Sequence, residues 1–293
     1  MVTDIAVTDP GIVVGIDRSP ATDGAVGWGA AEAALRDLPL TLAHVVTPVI
    51  IDAQDPRLRA RIQRWRVHCG QRLLTETKAT LAEAGSLDAG RITTVIRFGQ
   101  PVQALEGLSV GASMIVVGSR FHGSAGGRRL ASVSAALCYR AHCPVAVVHC
   151  FDTELAGRPV VVGIDGSRAS ERATAIAFDE ASRRGIGLVA VHVWSDVGVF
   201  PLLGMDWHLY RDEADEVLGE RLAGWQERYP DVVVERQVYC DRPAHWLIEE
   251  AGRAGLVVVG SHGRSAFASL MLGSVATSVA EAVDVPVIVT REA

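Results

Sequence analysis

Short runs that are apolar at every position alternate along the chain with longer stretches in which apolar residues recur at helical spacing. Met114-Ile115-Val116-Val117 and Leu256-Val257-Val258-Val259 are of the first kind. A strand with no polar side is one buried on both faces, as in a parallel sheet covered by helices. The pattern predicts strands near residues 12–17, 40–46, 91–97, 113–118 and 144–149, with helices near 20–37, 55–84, 101–112 and 128–141. A second series follows, with strands near 159–165, 187–194, 232–239, 256–260 and 286–290 and helices near 168–184, 206–229, 243–254 and 274–283. Strict alternation of strand and helix implies an α/β fold with a doubly wound parallel sheet. Such sheets bind ligands at the carboxyl ends of the strands, beside the point where the strand order reverses.

The two series are copies of one unit. Ile12-Val13-Val14-Gly15-Ile16-Asp17 is matched by Val160-Val161-Val162-Gly163-Ile164-Asp165, a displacement of 148 positions, and Ala43-His44-Val45 by Val191-His192-Val193 at the same displacement. Further on, Ile115-Val116-Val117-Gly118-Ser119 is matched by Val257-Val258-Val259-Gly260-Ser261, and Cys143-Pro144-Val145 by Val285-Pro286-Val287, both at 142. The first copy therefore carries six extra residues in its long loop or second helix, where insertions cost little. The expected domains are residues 1–150 and 151–293, joined by a short linker over 151–159 that has no apolar period.

Composition narrows the class. With 49% hydrophobic and 21% charged residues, the 293-residue chain has material for two cores, which excludes disorder. A net charge of −6 speaks against nucleic acid as the main partner. No apolar run reaches membrane-spanning length, and the opening residues, with Asp4 and Asp9, do not resemble a secretory leader, so a cytoplasmic location is expected. The five cysteines are an odd number with no CxxC pair, which predicts reduced thiols acting as small buried hydrophobes.

One connection in the second copy has the composition of an anion cradle. The strand ending at Val259 runs into Gly260-Ser261-His262-Gly263, then Arg264, Ser265 and seven further residues, then Gly273-Ser274-Val275 at the start of a helical segment. Glycines allow positive φ and close approach of a ligand, and a helix N-terminus presents unpaired N–H groups with a partial positive charge. Together they suit phosphate. Ser274 can cap the helix or donate to a phosphate oxygen, and Arg264 can add a charged contact. A plain structural turn remains the alternative. Gly163-Ile164-Asp165 puts a carboxylate at the same sheet edge, able to bond a ribose or an adenine amino group or to cap the helix starting near Ser167.

The repeated V-V-G-I-D start, the His-Val at the end of the second strand and the G-x2-G-x9-G-S loop resemble the universal stress protein family over nearly the whole chain. The resemblance implies two tandem doubly wound Rossmann-like domains, each with a five-stranded parallel sheet, and ATP as ligand, with any Mg2+ held by its phosphates. Asp165 and the backbone at Val193 would hold the adenosine, with Asp196 a weaker candidate. Gly260, Gly263, Gly273, Ser274 and Val275 would hold ribose and phosphates. It further implies a homodimer, and pairing of the two copies through their last strands as a pseudo-dimer within one chain.

The first copy departs from this pattern. Gly15, Asp17, Val45, Gly118, Ser119, Ser132 and Val133 keep their counterparts, but Phe121 stands in the place of Gly263 and Ala131 in that of Gly273. Gly123, Gly126 and Gly127 lie in the same loop, so a rearranged cradle with Arg128 facing phosphate is the alternative to an empty site.

Other signals are weaker. His44 and His192 occupy equivalent apolar strand positions and read as hydrogen-bonded structural histidines; no metal-binding spacing occurs. There is no G-x4-G-K-[ST] loop and no G-x-S-x-G elbow. Trp207, Trp225 and Trp246 read as packing or partner surface, and the Arg57-Arg59-Arg61-Arg64-Arg66 run as the solvated face of a long helix. Two functions follow for the chain, a nucleotide-dependent stress-regulatory binding module with little or no turnover, or a slow ATP hydrolase or adenylyl transferase using the same cleft; a nucleotide-free dimerisation scaffold is a third reading that gains weight for the first copy only.

Overall fold

The computed structural model describes residues 9–48, 56–119, 130–194, 211–263 and 272–291. Two compact units are distinguished, one holding the elements of the first copy and the other those of the second. In the first, β1 (Ile12–Gly15), α1 (Ala21–Leu35), β2 (Leu40–Val46), α2 (Pro56–Glu83), β3 (Ile92–Phe98), α3 (Pro101–Ser109), β4 (Met114–Gly118), α4 (Ser132–Arg140) and β5 (Val145–Val148) follow one another. All strand pairings are parallel, in the order β3-β2-β1-β4-β5.

The second unit repeats the plan with β6 (Val160–Ile164), α5 (Arg168–Arg184), β7 (Leu188–Val193), α6 (Arg211–Arg228), β8 (Val234–Tyr239), α7 (Pro243–Ala251), β9 (Leu256–Gly260), α8 (Ser274–Ala282) and β10 (Val287–Thr290). Its order is β10-β9-β6-β7-β8, again parallel. The strand order therefore reverses between β1 and β4 in one unit and between β6 and β9 in the other. The doubly wound α/β class expected from the alternation is what forms.

Burial explains why the central strands are apolar throughout. Val160, Val161 and Val162 of β6 and Val257 and Val258 of β9 are fully buried, because helices cover both faces. β8 differs: Glu235, Arg236 and Gln237 are not buried, and Arg236 and Glu235 pair with Asp215 and Arg253. In the second unit, Phe178 of α5 is fully buried and stacks against Trp225 and Tyr229 of α6, with ring centroids 6.1 and 5.7 Å away. Trp246 of α7 stacks on Tyr239 at 4.2 Å. Both tryptophans are thus packing residues; Trp207 lies outside the described residues.

The helix ends obey local chemistry. α5 starts on Ser167, whose hydroxyl accepts from the Ser170 N–H, and stops at Gly185, which takes the left-handed conformation at φ 64°. α4 begins at Ser132, four residues after the expected 128. Glu32 and Glu180, equivalent in the two copies, are fully buried and pair with Arg36 and Arg184 one turn on. The 151–159 segment contains a 3-10 turn, Thr153–Leu155, and is fastened to the second unit: the Gly255 N–H donates to the Pro159 carbonyl at 3.0 Å.

Cys138 and Cys143 are buried as expected, Cys69 and Cys240 are half-buried, and Cys150 is exposed, so the buried-hydrophobe reading fails for Cys150. Among the described residues no helix is long and apolar enough to cross a membrane.

Candidate functional site

The reversal of strand order in the second unit opens a cleft of about 410 Å³. Its floor comes from the ends of β6 and β9, with Gly163, Asp165 and Gly260, and its rim from Gly263 and the start of α8. β7 contributes Val193, and α7 contributes Leu247. The structure therefore brings Gly163, Asp165, Val193, Gly260, Ser261, His262, Gly263, Gly273, Ser274 and Val275 to one place. Asp196, Arg264 and Ser265 lie outside the described residues.

Asp165 is held, but not as a helix cap. Its Oδ1 accepts the Ser167 N–H at 2.9 Å, a turn closed by a short polar side chain, while Ser167 itself caps α5. The Ser170 hydroxyl takes the N–H groups of Gly166 at 3.1 Å and Asp165 at 3.4 Å. This leaves Oδ2 turned toward Gly263, where a methyl group would lie 2.8 Å from it. His192 fixes the neighbouring strand end: its Nδ1–H donates to the Ile164 carbonyl at 2.7 Å. His44 does the same to Ile16 at 2.9 Å in the first unit, so both are structural, as their strand positions implied.

The glycines serve by space and not by φ. None of Gly260, Gly263 and Gly273 has a positive φ, contrary to the expectation from the loop's composition. A methyl on Gly260 would stand 2.9 Å from the backbone of Ala169, so that glycine lets α5 close onto β9. One on Gly273 would stand 3.0 Å from the Ser261 carbonyl, to which the Gly273 N–H donates at 2.8 Å.

Gly273, not Ser274, is the residue preceding α8, and no side chain caps the helix. Ser274 is instead its first helical residue. The N–H groups of Ser274, Val275 and Ala276 have no acceptor within the helix, and all three residues line the cleft. They carry the positive end of the helix dipole to its wall. Ser261 is buried; its N–H donates to Thr290 at 2.7 Å and its hydroxyl bonds His262 Nδ1 at 2.9 Å, so it supports the loop.

Sequence reasoning missed Ser170, Pro243, Leu247 and Leu272 as lining residues. Ser170 had a signal, because a hydroxyl recurs at its counterpart Thr22, which bonds Asp17 in the same turn at 2.9 Å. Pro243 and Leu247 had none beyond ordinary helical spacing, and Leu272, which precedes α8, had none.

The first unit assembles the corresponding residues differently. Asp17 accepts from Ser19 at 2.8 Å, matching Asp165 and Ser167. Gly15 faces Leu105 as Gly163 faces Leu247, and Gly118 admits the backbone of Ala21. Val45 ends up half-buried beside His44 on β2. At the start of α4, however, the Ala131 N–H reaches the Ser119 hydroxyl at 3.5 Å, and the Ser119 carbonyl is occupied by the His149 ring at 3.2 Å. Ser132 is the first helical residue, with Val133 behind it. Phe121, His122, Gly123, Gly126, Gly127 and Arg128 lie outside the described residues.

Residues 11–149 and 157–291 each match the profile of the universal stress protein family. A universal stress protein of Mycobacterium tuberculosis is 46% identical over 286 residues, covering 96% of this chain and 97% of its own. One of Mycolicibacterium smegmatis is 44% identical over 292 residues, covering 98% of both. The crystal structure of a universal stress protein from Archaeoglobus fulgidus superposes with a TM-score of 0.72 at 19% identity, over 98% of this chain and all of that one, which speaks to the fold. The chain belongs to the universal stress protein family, with two copies of its domain in tandem.

Proposed function

We propose that the second unit binds ATP and that the protein is a nucleotide-dependent regulatory module of the stress response, with little or no turnover. One observation carries the reading: a single cleft joins an uncapped helix N-terminus, an apolar wall and a carboxylate with a free edge. A nucleotide has the matching parts. The amides of Ser274, Val275 and Ala276 would take phosphate oxygens, Asp165 Oδ2 would accept from adenine or ribose, and Val193 and Leu247 would cover the base. The volume lies within the usual range for small-ligand sites, about 300–1,000 Å³. ATP would bring any Mg2+ with its phosphates. Binding acts by favouring one conformation over another. Homodimerisation and a cytoplasmic location complete the proposal.

What is described of the cleft's lining favours low turnover. Among its described lining residues, Asp165 and His262 are the titratable groups. Asp165 Oδ1 is engaged by Ser167, and His262 Nδ1 by Ser261. With a nucleotide bound, Asp165 Oδ2 would be taken by adenine or ribose as well, which favours holding the ligand over activating water. The test is to denature the purified chain in acid, identify any nucleotide released, and assay added ATP under multiple-turnover conditions. Adenine nucleotide bound without rapid hydrolysis is expected. A chain that releases none and binds no added ATP overturns the binding reading, and rapid turnover overturns the non-enzymatic one.

A further inference from the structure

α2 keeps half its length out of the core, whereas its counterpart in the second copy does not. It runs for 28 residues, yet the first buried one is Gly70. In α6, burial begins at Ala214, within the first turn. Residues 56–69 thus form about four turns, roughly 21 Å, of helix with no buried position. Core packing does not dictate which residues stand there.

The segment holds five arginines and no Asp or Glu. Two of them turn inward: Arg66 donates to the Thr47 carbonyl at 3.0 Å, and Arg59 borders a groove with Val46 and Phe98. Arg57, Arg61 and Arg64 follow at spacings of four and three, and His68 and Arg72 continue at spacings of four. These five share one exposed side of the helix, opposite the buried Gly70 and Leu74. Along one edge of that stripe lie Trp65, 64% exposed, and Leu58, 39% exposed.

Like charges one turn apart repel, and cations at a helix N-terminal end oppose its dipole, so within the chain the stripe costs stability. The fold does not call for it, because α6 carries Asp212, Glu213, Asp215 and Glu216 in the same part of the equivalent helix. An external anionic surface offsets the cost. The apolar edge selects its kind. A nucleic-acid backbone offers no place for Leu58 beside the phosphates, whereas a bilayer interface takes tryptophan among its headgroups, leucine at the acyl boundary and arginine at its phosphates.

We propose that the outward side of α2 docks the protein on an anionic lipid surface, with Arg57, Arg61, Arg64 and Arg72 against the headgroups and Trp65 and Leu58 dipping into the interface. The helix lies in the plane of the membrane and does not cross it. The stripe belongs to the first unit and the cleft to the second, so the inference does not rest on ATP binding.

Flotation of the full chain with vesicles tests it. Binding is expected to vesicles of phosphatidylcholine mixed equally with phosphatidylglycerol and not to phosphatidylcholine alone. It should hold at about 0.1 M salt and fade toward about 1 M, as the screening length drops from about 10 to about 3 Å. Each arginine near such a surface adds about fivefold, so Arg61→Gln/Arg64→Gln is expected to bind about 25-fold more weakly and Arg61→Glu/Arg64→Glu more weakly still, with unchanged circular dichroism. Tryptophan emission of the native chain should shift to the blue with the mixed vesicles, and that of Trp65→Phe should not. A native chain that ignores the mixed vesicles, or binds neutral ones equally well, overturns the proposal. So do folded glutamine or glutamate variants that bind like the native chain, an unshifted native emission, or tighter binding to a random DNA duplex than to the mixed vesicles.

Discussion

Gly263 and Asp165 meet across the cleft so closely that a single methyl group on Gly263 would stand 2.8 Å from Asp165 Oδ2. That oxygen is the far end of a side chain, so it can turn aside to relieve the contact, and in doing so it leaves its place in the cleft. Gly263 has no positive φ, so alanine is compatible with the backbone there and acts through space alone. Gly263→Ala is therefore expected to weaken ATP binding tenfold or more, about 1.4 kcal/mol, with thermal stability nearly unchanged. Isothermal titration and a melting curve on the same sample check both halves. Gly260→Ala is the contrasting case: its methyl meets the backbone of α5, and overpacking of that kind costs about 1–3 kcal/mol, visible as a lower Tm.

The buried pair Glu180–Arg184 supplies a stability prediction. Glu180 has no solvent exposure, and Arg184 contacts it at 2.8 Å. Removing the cation breaks a buried ion pair from one side, which typically costs about 3–5 kcal/mol, whereas an apolar replacement of both partners is far milder. In urea denaturation Arg184→Ala should lose much more stability than Glu180→Leu/Arg184→Met. Equal losses would show that the pair is not what holds that helix.

Tyr239 introduces a pH dependence. Burial first, then its hydrogen bond to the Glu250 carboxylate, pushes the phenol up to about 12. The unfolded phenol ionises near 10. The folded state thus keeps its proton longer, and the stability this contributes is present below about pH 10 and lost as pH rises to about 12. Tyr239→Phe should flatten stability over that interval, and ultraviolet titration of the native chain should show one late tyrosine that the variant lacks.

Thiol accessibility gives a fourth check. Burial pushes the Cys138 thiol up to about 12, so it is both shielded and protonated at neutral pH, whereas Cys150 is exposed. Brief alkylation of the folded chain followed by mass spectrometry should label Cys150 and spare Cys138 until denaturant is added.

Much of this architecture was legible because strands such as those around Val161 and Val258 are buried on both faces, which forces unbroken apolar runs. The repeat then placed Asp165 and the glycine loop at one sheet edge. What the residues do there was less legible. A glycine looks the same whether it supplies positive φ or space, and at Gly260, Gly263 and Gly273 it supplies space. Ser274 looked like a cap because serine often is one, but the extended conformation falls on Gly273 and moves the serine one position into the helix. Leu247 and Pro243 reach the cleft only through the packing of α7 on the sheet, a relation that no local pattern encodes.

The most direct test of ATP binding in the second unit is a titration of nucleotide-free protein with ATP, comparing the native chain with Gly263→Ala and Asp165→Ala. Saturable binding in the native chain, weakened tenfold or more in both variants while both remain cooperatively folded, is the predicted result. Absence of binding in the native chain, or affinity unchanged in both variants, would contradict it.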